Sequence, residues 1–344
     1  MKALGINIFA GGFTMGVEAA GFEVVGQWEE CGAGSRTFDL NFGQRIPRPL
    51  RYEDWPLLDA PRLDLVYANP PCAPWSAANT RQGRNILDRI SDPRLAMTAR
   101  SMETAMALRP RAFVLESVAR AYSQGRAYYD TWAEKWIAAG YGVTYYVTDA
   151  LLCGAPSVRE RFHFIAHQGD LRIADPPRDL IPRTTRAAIA DIADRFGHLP
   201  HHVPRRERPE VHETMRRCEP GRQLNEVEDG ACAKWSFLYR RSLYDAPAYT
   251  LIGVEMQVHP ERPRLITARE GLRLCGYPDD FKVHLAEMTK APTQSVLPPV
   301  ARHVAMIIKN MSGRAQRELE VVDHRDFAKP YRPAAVRAAL EEEL

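Results

Sequence analysis

Cys72 is the residue of this sequence best suited to nucleophilic chemistry. It lies in the stretch Ala68-Asn69-Pro70-Pro71-Cys72-Ala73-Pro74-Trp75-Ser76, directly after an apolar run that predicts a strand. Two prolines stiffen the backbone before the thiol, and a held thiol that can ionise is a good nucleophile. The alternative is a small buried apolar side chain, the common role of a free cysteine. Cys72 alone does not decide between them.

Strand-like and helix-like runs alternate over the first 167 residues, which predicts an α/β fold. Such alternation is typical of a mostly parallel sheet covered on both faces, whose ligands bind outside the carboxyl ends of the strands. The predicted strands are 3–9, 22–28, 63–68, 112–115, 141–148 and 162–166, and the predicted helices are 14–20, 32–40, 92–108 and 129–139. Cys72 would therefore lie at the ligand-binding edge, and so would Ala10-Gly11-Gly12 after the first strand.

The chain after residue 167 divides into two further parts. Prolines are frequent over 174–210, and they interrupt helices and strands, so 168–255 is expected to be a separate, irregular small domain. Ordered patterning returns over 256–344, with helices predicted at 268–274 and 297–308 and a solvated helix in the charged, Ala-rich last 30 or so residues. The first domain would be 1–167, and residues 256–344 would pack back against it.

Composition excludes several classes of protein. The chain has 46 Lys and Arg against 43 Asp and Glu, a net charge of +3, which argues against a polycation that coats nucleic acid by charge alone. No apolar run is long enough for a membrane span, and no signal peptide is evident, so a cytosolic protein is expected. The six cysteines are scattered, so neither a disulfide framework nor a metal site is expected.

Seven stretches of the chain, taken in order, resemble the motifs of the DNA cytosine-5 methyltransferases. They are Phe9-Ala10-Gly11-Gly12-Phe13-Thr14-Met15-Gly16; Glu29; Pro71-Cys72 with Ser76; Phe113-Val114-Leu115-Glu116-Ser117-Val118; Ser157-Val158-Arg159-Glu160-Arg161; 264–279; and Gln294-Ser295-Val296 with Pro299-Val300-Ala301. The resemblance covers 4–167 and roughly 244–308. It implies a Rossmann-like S-adenosylmethionine-dependent methyltransferase sheet with a smaller irregular target-recognition domain, 168–255.

This resemblance implies a covalent route to C5 of cytosine in DNA. C5 reacts poorly with a methyl sulfonium, but a thiolate that adds to C6 makes C5 enamine-like, and Cys72 would supply that thiolate. Glu116 would protonate or hydrogen-bond N3, a task for a carboxyl group of raised pKa. By the resemblance, Arg161 contacts the cytosine O2 and Arg159 supports the nucleophile loop. The alternatives are a surface acid for Glu116 and an ordinary polar strand for the two arginines.

The cofactor implied by the resemblance is S-adenosylmethionine, with S-adenosylhomocysteine as the product and no metal. Glycines let a backbone approach a ligand closely, and an acid after the second strand can accept from ribose hydroxyls. The implied cofactor residues are Phe9, Ala10, Gly11, Gly12, Glu29, Asp54, Pro70 and Ser295. A pair of glycines is weak evidence by itself, since turns use it constantly.

Double-stranded DNA is the implied partner, in the cytoplasm of a bacterial or phage-infected cell, and a monomer is compatible with the sequence. The target base would have to leave the duplex to reach Cys72. Side chains expected to contact DNA are Ser76, Arg81 and Arg84 in a mobile loop, and Arg205 and Arg206 in the small domain. The alternative for these arginines is a solvated surface.

Departures from the family pattern leave three alternatives open. Ser117, Ser157, Cys275, Thr293 and Gln294 replace residues usual in the family, and the glycine loop is about two residues short. A related enzyme with an altered donor or substrate, or a catalytically weak DNA-binding homologue, would also fit. An amino-methyltransferase that uses Asn69-Pro70-Pro71 is a third, in which Glu116 and the arginines have no role.

Overall fold

A seven-stranded sheet forms the centre of the protein. The computed structural model describes residues 1–29, 32, 34–43, 62–76, 86–234, 239–253, 255–288 and 291–342. The strands are β1 Lys2–Ile6, β2 Glu23–Trp28, β3 Leu65–Ala68, β4 Ala112–Val118, β5 Gly142–Asp149, β6 Glu160–His167, β7 Arg240–Arg241, β8 Gln257–Val258 and β9 Leu319–Asp323. The sheet has the order β2-β1-β3-β4-β6-β5-β9, while β7 and β8 pair separately.

The sheet is mixed, because one strand runs against its neighbours. The pairs β1–β2, β1–β3, β3–β4 and β5–β9 are parallel, whereas β6 is antiparallel to both β4 and β5. The six predicted strands are present, with ends that shift by up to three residues. β3 is buried along its whole length, as expected for a strand covered on both faces.

The prediction of a solvated terminal helix was wrong for part of the C-terminal stretch. β9 adds a seventh strand at the edge, in register from Val143 opposite Leu319 to Val147 opposite Asp323. Its side chains are partly or fully exposed, so no buried run marked it as a strand in the sequence. An edge strand is stabilised by its backbone hydrogen bonds to a neighbour, which a local pattern does not reveal. A helix does follow, at Pro333–Glu342.

Helices cover both faces of the sheet. They are α1 Gly12–Ala19, α2 Ser35–Phe42, α3 Ile86–Ile90, α4 Leu95–Leu108, α5 Ala119–Gln124, α6 Arg126–Ala138, α7 Thr185–Ile189, α8 Pro209–Arg217, α9 Ala268–Leu274, α10 Ala291–Gln294, α11 Pro298–Lys309, α12 Arg325–Ala328 and α13 Pro333–Glu342. On one face α1, α9 and α11 contribute to the core through side chains such as Phe13, Leu272 and Val304. On the other face α4 and α6 contribute Met102 and Trp136.

A third, smaller apolar cluster lies in the segment that follows the sheet. Its buried members are Val211, Met215, Cys218, Leu224, Cys232, Val258 and Leu265. The two-residue strands β7 and β8 pair beside it. Val258 and Leu265 belong to this cluster although they follow residue 255. Among the helices that the structure describes, none is long and apolar enough to cross a membrane.

Candidate active site

Cys72 sits in a tight turn just beyond the carboxyl end of β3. The Cys72 carbonyl accepts hydrogen bonds from the N–H groups of Trp75 at 3.0 Å and Ser76 at 3.1 Å. Trp75 is buried, and its ring lies 6.1 Å and 6.3 Å from the rings of Tyr128 and Tyr129. The turn is thus anchored by a large aromatic contact, while the thiol side chain of Cys72 stays only partly buried.

Glu116, near the end of β4, forms the centre of a buried polar cluster. Its Oε1 pairs with Arg161 Nε at 2.7 Å, and its Oε2 accepts from Asn69 Nδ2 at 2.9 Å. Glu116 is 3% exposed, and the Arg161 side chain is 12% exposed. Asn69 directly follows β3, so the cluster joins the nucleophile loop to the two neighbouring strands.

Antiparallel β6 explains why the arginines reach this edge. A strand that runs against β4 begins where β4 ends, and Val118 accordingly pairs with Arg161 while Glu116 pairs with His163. Residues opposite each other, or two apart, share a face of the sheet. Glu116, Arg161 and His163 therefore lie on one face. The predicted catalytic residues thus come together from three separate stretches of the chain.

Arg159 is held differently from Arg161. Its backbone N–H donates to Asp149 Oδ1 at 3.0 Å, and its side chain is 8% exposed. Within the described part of the chain, Arg159 Nε has no hydrogen-bond partner. Burial, with the neighbouring charge of Arg161, lowers the pKa of Arg159 to about 10. Arg159 is therefore a desolvated positive charge beside the nucleophile.

The same environment shifts the pKa values of Cys72 and Glu116. Burial raises the pKa of the Cys72 thiol, and the positive charge of Arg161 opposes that rise. Burial also raises the pKa of the Glu116 carboxyl group, against the charges of Arg161 and Arg159. A carboxyl group with a raised pKa is a competent general acid near neutral pH. Both shifts therefore favour the protonated forms of Cys72 and Glu116.

Most of the residues predicted to bind the cofactor lie together beyond β1. The N–H of Phe9 donates to Glu29 Oε2 at 2.7 Å, and the N–H of Gly12 donates to Ser295 Oγ at 3.0 Å. Gly11 has a φ of 87°, a left-handed conformation that favours glycine. A Cβ on Gly12 would lie 2.2 Å from the backbone oxygen of Val296. The loop is thus packed closely against the Ser295 segment.

The remaining predicted residues are less closely connected. Pro70 is buried in the nucleophile loop, next to Asn69. Arg205 and Arg206 are exposed, and Arg205 Nε pairs with Glu207 at 3.2 Å. No hydrogen bond or ion pair between described residues links either arginine to the Cys72 cluster. Asp54, Arg81 and Arg84 lie outside the described residues.

The positions that depart from the family pattern have structural partners of their own. Ser117 is buried, and by strand alternation it faces away from Glu116. Ser157 Oγ donates to the Leu274 carbonyl at 2.7 Å, next to buried Cys275. Thr293 Oγ1 donates to the Ile252 carbonyl at 2.7 Å. Gln294 is exposed. These substitutions therefore leave the Cys72, Glu116 and Arg161 positions intact.

Sequence reasoning missed two features of the cluster. The bond from Asn69 to Glu116 was not predicted, although a polar residue directly after a strand is expected at the ligand-binding edge. Asp149 accepts a hydrogen bond from the backbone N–H of Arg159, and no pattern in the neighbouring sequence predicted this contact. No group of three or more His, Cys, Asp or Glu residues in the described ranges could hold a metal ion.

Comparison with known proteins decides the family. The family model for C-5 cytosine-specific DNA methylases matches residues 5–310. The chain belongs to this family. The reaction of this methylase is therefore methylation of cytosine at C5 in DNA, and the predicted family is confirmed.

Relatives and solved structures resemble the methylase over most of its length. The type II methyltransferase M1.HphI of Haemophilus parahaemolyticus is 27% identical over 338 residues, which cover 89% of this chain and 87% of the relative. M.MthTI of Methanothermobacter thermautotrophicus is 27% identical over 293 residues, covering 79% and 85%.

Two solved structures show the same fold as the methylase. The structure of a protein encoded within an E. coli prophage has a TM-score of 0.68 at 20% identity and covers 90% of this chain and 99% of its own. The structure of Spodoptera frugiperda DNMT2 has a TM-score of 0.58 at 13% identity, with the same coverage. The predicted α/β methyltransferase fold is thus confirmed.

Proposed function

We propose that the methylase uses Cys72 as a covalent nucleophile on a cytosine flipped out of double-stranded DNA, with S-adenosylmethionine as the methyl donor. The observation that carries this proposal is the convergence of Cys72, Glu116 and Arg161 at one edge of the sheet, with Glu116 held between Arg161 and Asn69. A nucleophile, an acid and a cation within one buried cluster match the requirements of addition to a pyrimidine.

The first step is addition of the Cys72 thiolate to C6 of the base. The new S–C6 bond takes the sulfur electron pair, and the C5–C6 double bond shifts its electrons into the ring toward N3. Glu116 gives its proton to N3, so negative charge does not accumulate. Arg161 contacts O2 and steadies the same charge. The base is then enamine-like at C5, where it could accept a methyl group from the bound cofactor. Cys72 then leaves as the thiolate, the C5 proton passes to solvent and the N3 proton returns to Glu116, which restores the aromatic ring.

The residues beyond β1 fit S-adenosylmethionine in their chemistry. The cofactor supplies an electrophilic methyl group on a sulfonium. Glu29 is 3% exposed and lies at the Phe9 loop, where a carboxylate acceptor suits ribose hydroxyls. The backbone from Phe9 to Gly12 would follow the methionine part. Ser295 would hold this loop through Gly12, and Pro70 would line the approach to the base. Asp54 stays a prediction for the adenine.

The small domain would carry DNA recognition. We propose that the target-recognition domain, predicted as 168–255, begins after Ile192 and extends past 255 to about 265. Val258 and Leu265 pack in its cluster, whereas Ile189 and Ile192 pack in the core beside the sheet. Arg205 and Arg206 are exposed on this segment and would reach DNA, as would Ser76, Arg81 and Arg84 from the nucleophile side. We infer a monomer that acts in the cytoplasm of a bacterial or phage-infected cell.

Covalent trapping tests the mechanism. Base-resolution sequencing of DNA from cells that express the protein first identifies the methylated site. A duplex with 5-fluorocytosine at that site should then form a denaturation-resistant adduct with the wild type and S-adenosylmethionine, because fluorine at C5 blocks loss of the C5 substituent.

The matched variants are Cys72→Ala and Cys153→Ala, since Cys153 is the other partly buried cysteine among the described residues. Only Cys72→Ala should lose the adduct. Methylation that survives in folded Cys72→Ala, with the methyl group on the exocyclic amine, would show amino-methyl transfer and contradict the proposal.

A further inference from the structure

Asn69 has one half of its carboxamide group without a partner. Its Nδ2 donates to Glu116 Oε2 at 2.9 Å, whereas its Oδ1 accepts no hydrogen bond from any residue that the structure describes. The side chain is 8% exposed, so water has little access to it. A buried acceptor without a donor is costly, and each such group in a native protein calls for an explanation.

The orientation of this amide is set by Glu116. When the Glu116 proton is directed at N3, the Glu116 oxygen next to Asn69 has no proton to share. Rotating the amide would then place Oδ1 against that oxygen, and two acceptors would face each other. The Oδ1 atom is therefore fixed beside the acid, because it shares a carboxamide group with the Nδ2 that donates to Glu116. Any donor that reaches Oδ1 must sit next to the group that Glu116 protonates.

The cluster thus presents three different polar groups side by side in space. Arg161 is a donor at one side of Glu116, the protonated acid is a donor in the middle, and Asn69 Oδ1 is an acceptor on the far side. The Watson–Crick edge of cytosine carries an acceptor at O2, an acceptor at N3 and a donor at the N4 amine. These two patterns are complementary in order and in kind.

We propose that the side-chain carbonyl of Asn69 accepts a hydrogen bond from the N4 amine of the flipped cytosine. Asn69 is then a specificity residue that contacts the base and also holds Glu116 in place. Uracil and thymine carry an N3–H donor and an O4 acceptor, so both Glu116 and Asn69 would oppose them. The inference rests on the proposed function, since it requires the base to enter beside Cys72.

A double-mutant cycle between protein and base isolates this contact. The four measurements are adduct formation rates for wild type and Asn69→Ala on duplexes with cytosine or 2-pyrimidinone, which lacks the N4 amine, at the target site. Both bases carry fluorine at C5, so that the adduct accumulates. Loss of the amine also weakens base pairing and raises the reactivity of C6, but these effects are the same for both proteins and cancel in the cycle. Thermal unfolding shows that Asn69→Ala is folded.

We expect Asn69→Ala to lower the rate on cytosine about tenfold to a hundredfold more than the rate on 2-pyrimidinone, as expected for a lost polar contact that selects a substrate. Asn69→Asp keeps an acceptor oxygen but loses the donor to Glu116. It should therefore react slowly on both bases and still keep a preference for cytosine over 2-pyrimidinone greater than that of Asn69→Ala. A residue that only positions Glu116 would not separate the two variants in this way.

Equal losses on both bases in Asn69→Ala would overturn the inference and leave the proposed function standing, because the wild type would still form the adduct at Cys72. A wild type that forms no adduct with either base would overturn the proposed function and the inference with it. These two failures are therefore distinguishable.

Discussion

At the scale of single residues, Glu116 is the group on which the cluster depends. It accepts hydrogen bonds from Asn69 and Arg161, and burial raises its pKa. Burial and ion pairing thus shift the pKa of the same carboxyl group in opposite directions. The net rise favours a proton donor over a permanent anion. A glutamine at position 116 would retain the shape of the side chain but would have no carboxyl proton to donate.

We expect Glu116→Gln to fold and to methylate cytosine about 10² to 10⁴ times more slowly than the wild type, the usual contribution of a positioned general acid. Single-turnover methylation of the target duplex measures the effect. Affinity for the duplex should change far less than the rate. Wild-type rates in Glu116→Gln would show that N3 receives its proton from elsewhere.

At the scale of elements, the contact between α1 and α11 joins two parts of the chain that are far apart in sequence. Gly16 on α1 faces α11 so closely that a Cβ there would lie 2.3 Å from the Ala301 Cβ and 2.5 Å from the Pro298 carbonyl oxygen. Lys309 Nζ also donates to the Ala20 carbonyl at 2.8 Å. This crossing places Ser295, just before α11, against the Gly12 loop at the start of α1.

We expect Gly16→Ala to lower the free energy of unfolding by about 1–3 kcal/mol, because a methyl group overpacks the crossing of the two helices. Gly26→Ala is the matched control. Among the described residues its Cβ would meet only Leu4, at 3.4 Å, so its stability should match or slightly exceed that of the wild type. Urea unfolding measures the free energy of unfolding of the two variants. Equal values would show that the helices move apart with no loss of stability.

At the scale of the whole molecule, buried histidines make stability depend on pH. Burial is the main cause that lowers the pKa of His163 to about 3, and of His259 and His303 to about 4, from an ordinary value of 6.5. The unfolded chain therefore binds protons before the folded chain does. Stability from these groups is complete above about pH 6.5 and declines as the pH falls toward 4.

We expect each of these histidines to remove about 1 kcal/mol of stability between pH 6.5 and 5.5. His163→Phe should remove one such contribution and give a shallower decline than the wild type over the same interval. Chemical denaturation at the two pH values measures this difference. Parallel declines in both proteins would mean that His163 is protonated in the folded state. Raised pKa values at Glu116 and Asp149 act in the opposite sense and are common to both proteins.

The sequence alone determined most of the sheet and the pair of residues proposed to react. Buried apolar runs set the first six strands, and Cys72 and Glu116 follow or end neighbouring strands, whose carboxyl ends meet at one edge. Local pattern and motif order sufficed there, because each signal lies within a few consecutive residues. The C-terminal strand β9 was not predictable in this way, since its side chains are largely exposed and its stability comes from pairing with β5.

Only the tertiary structure decided how the cluster closes. The antiparallel direction of β6 brings the start of that strand, with Arg161, to the edge where β4 ends. The contact between Asn69 and Glu116 joins residues 47 positions apart. Strand direction and distant hydrogen bonds depend on the packing of the whole chain, which no local pattern records. The sequence therefore determined which groups we propose to react, and the fold decided which groups hold them.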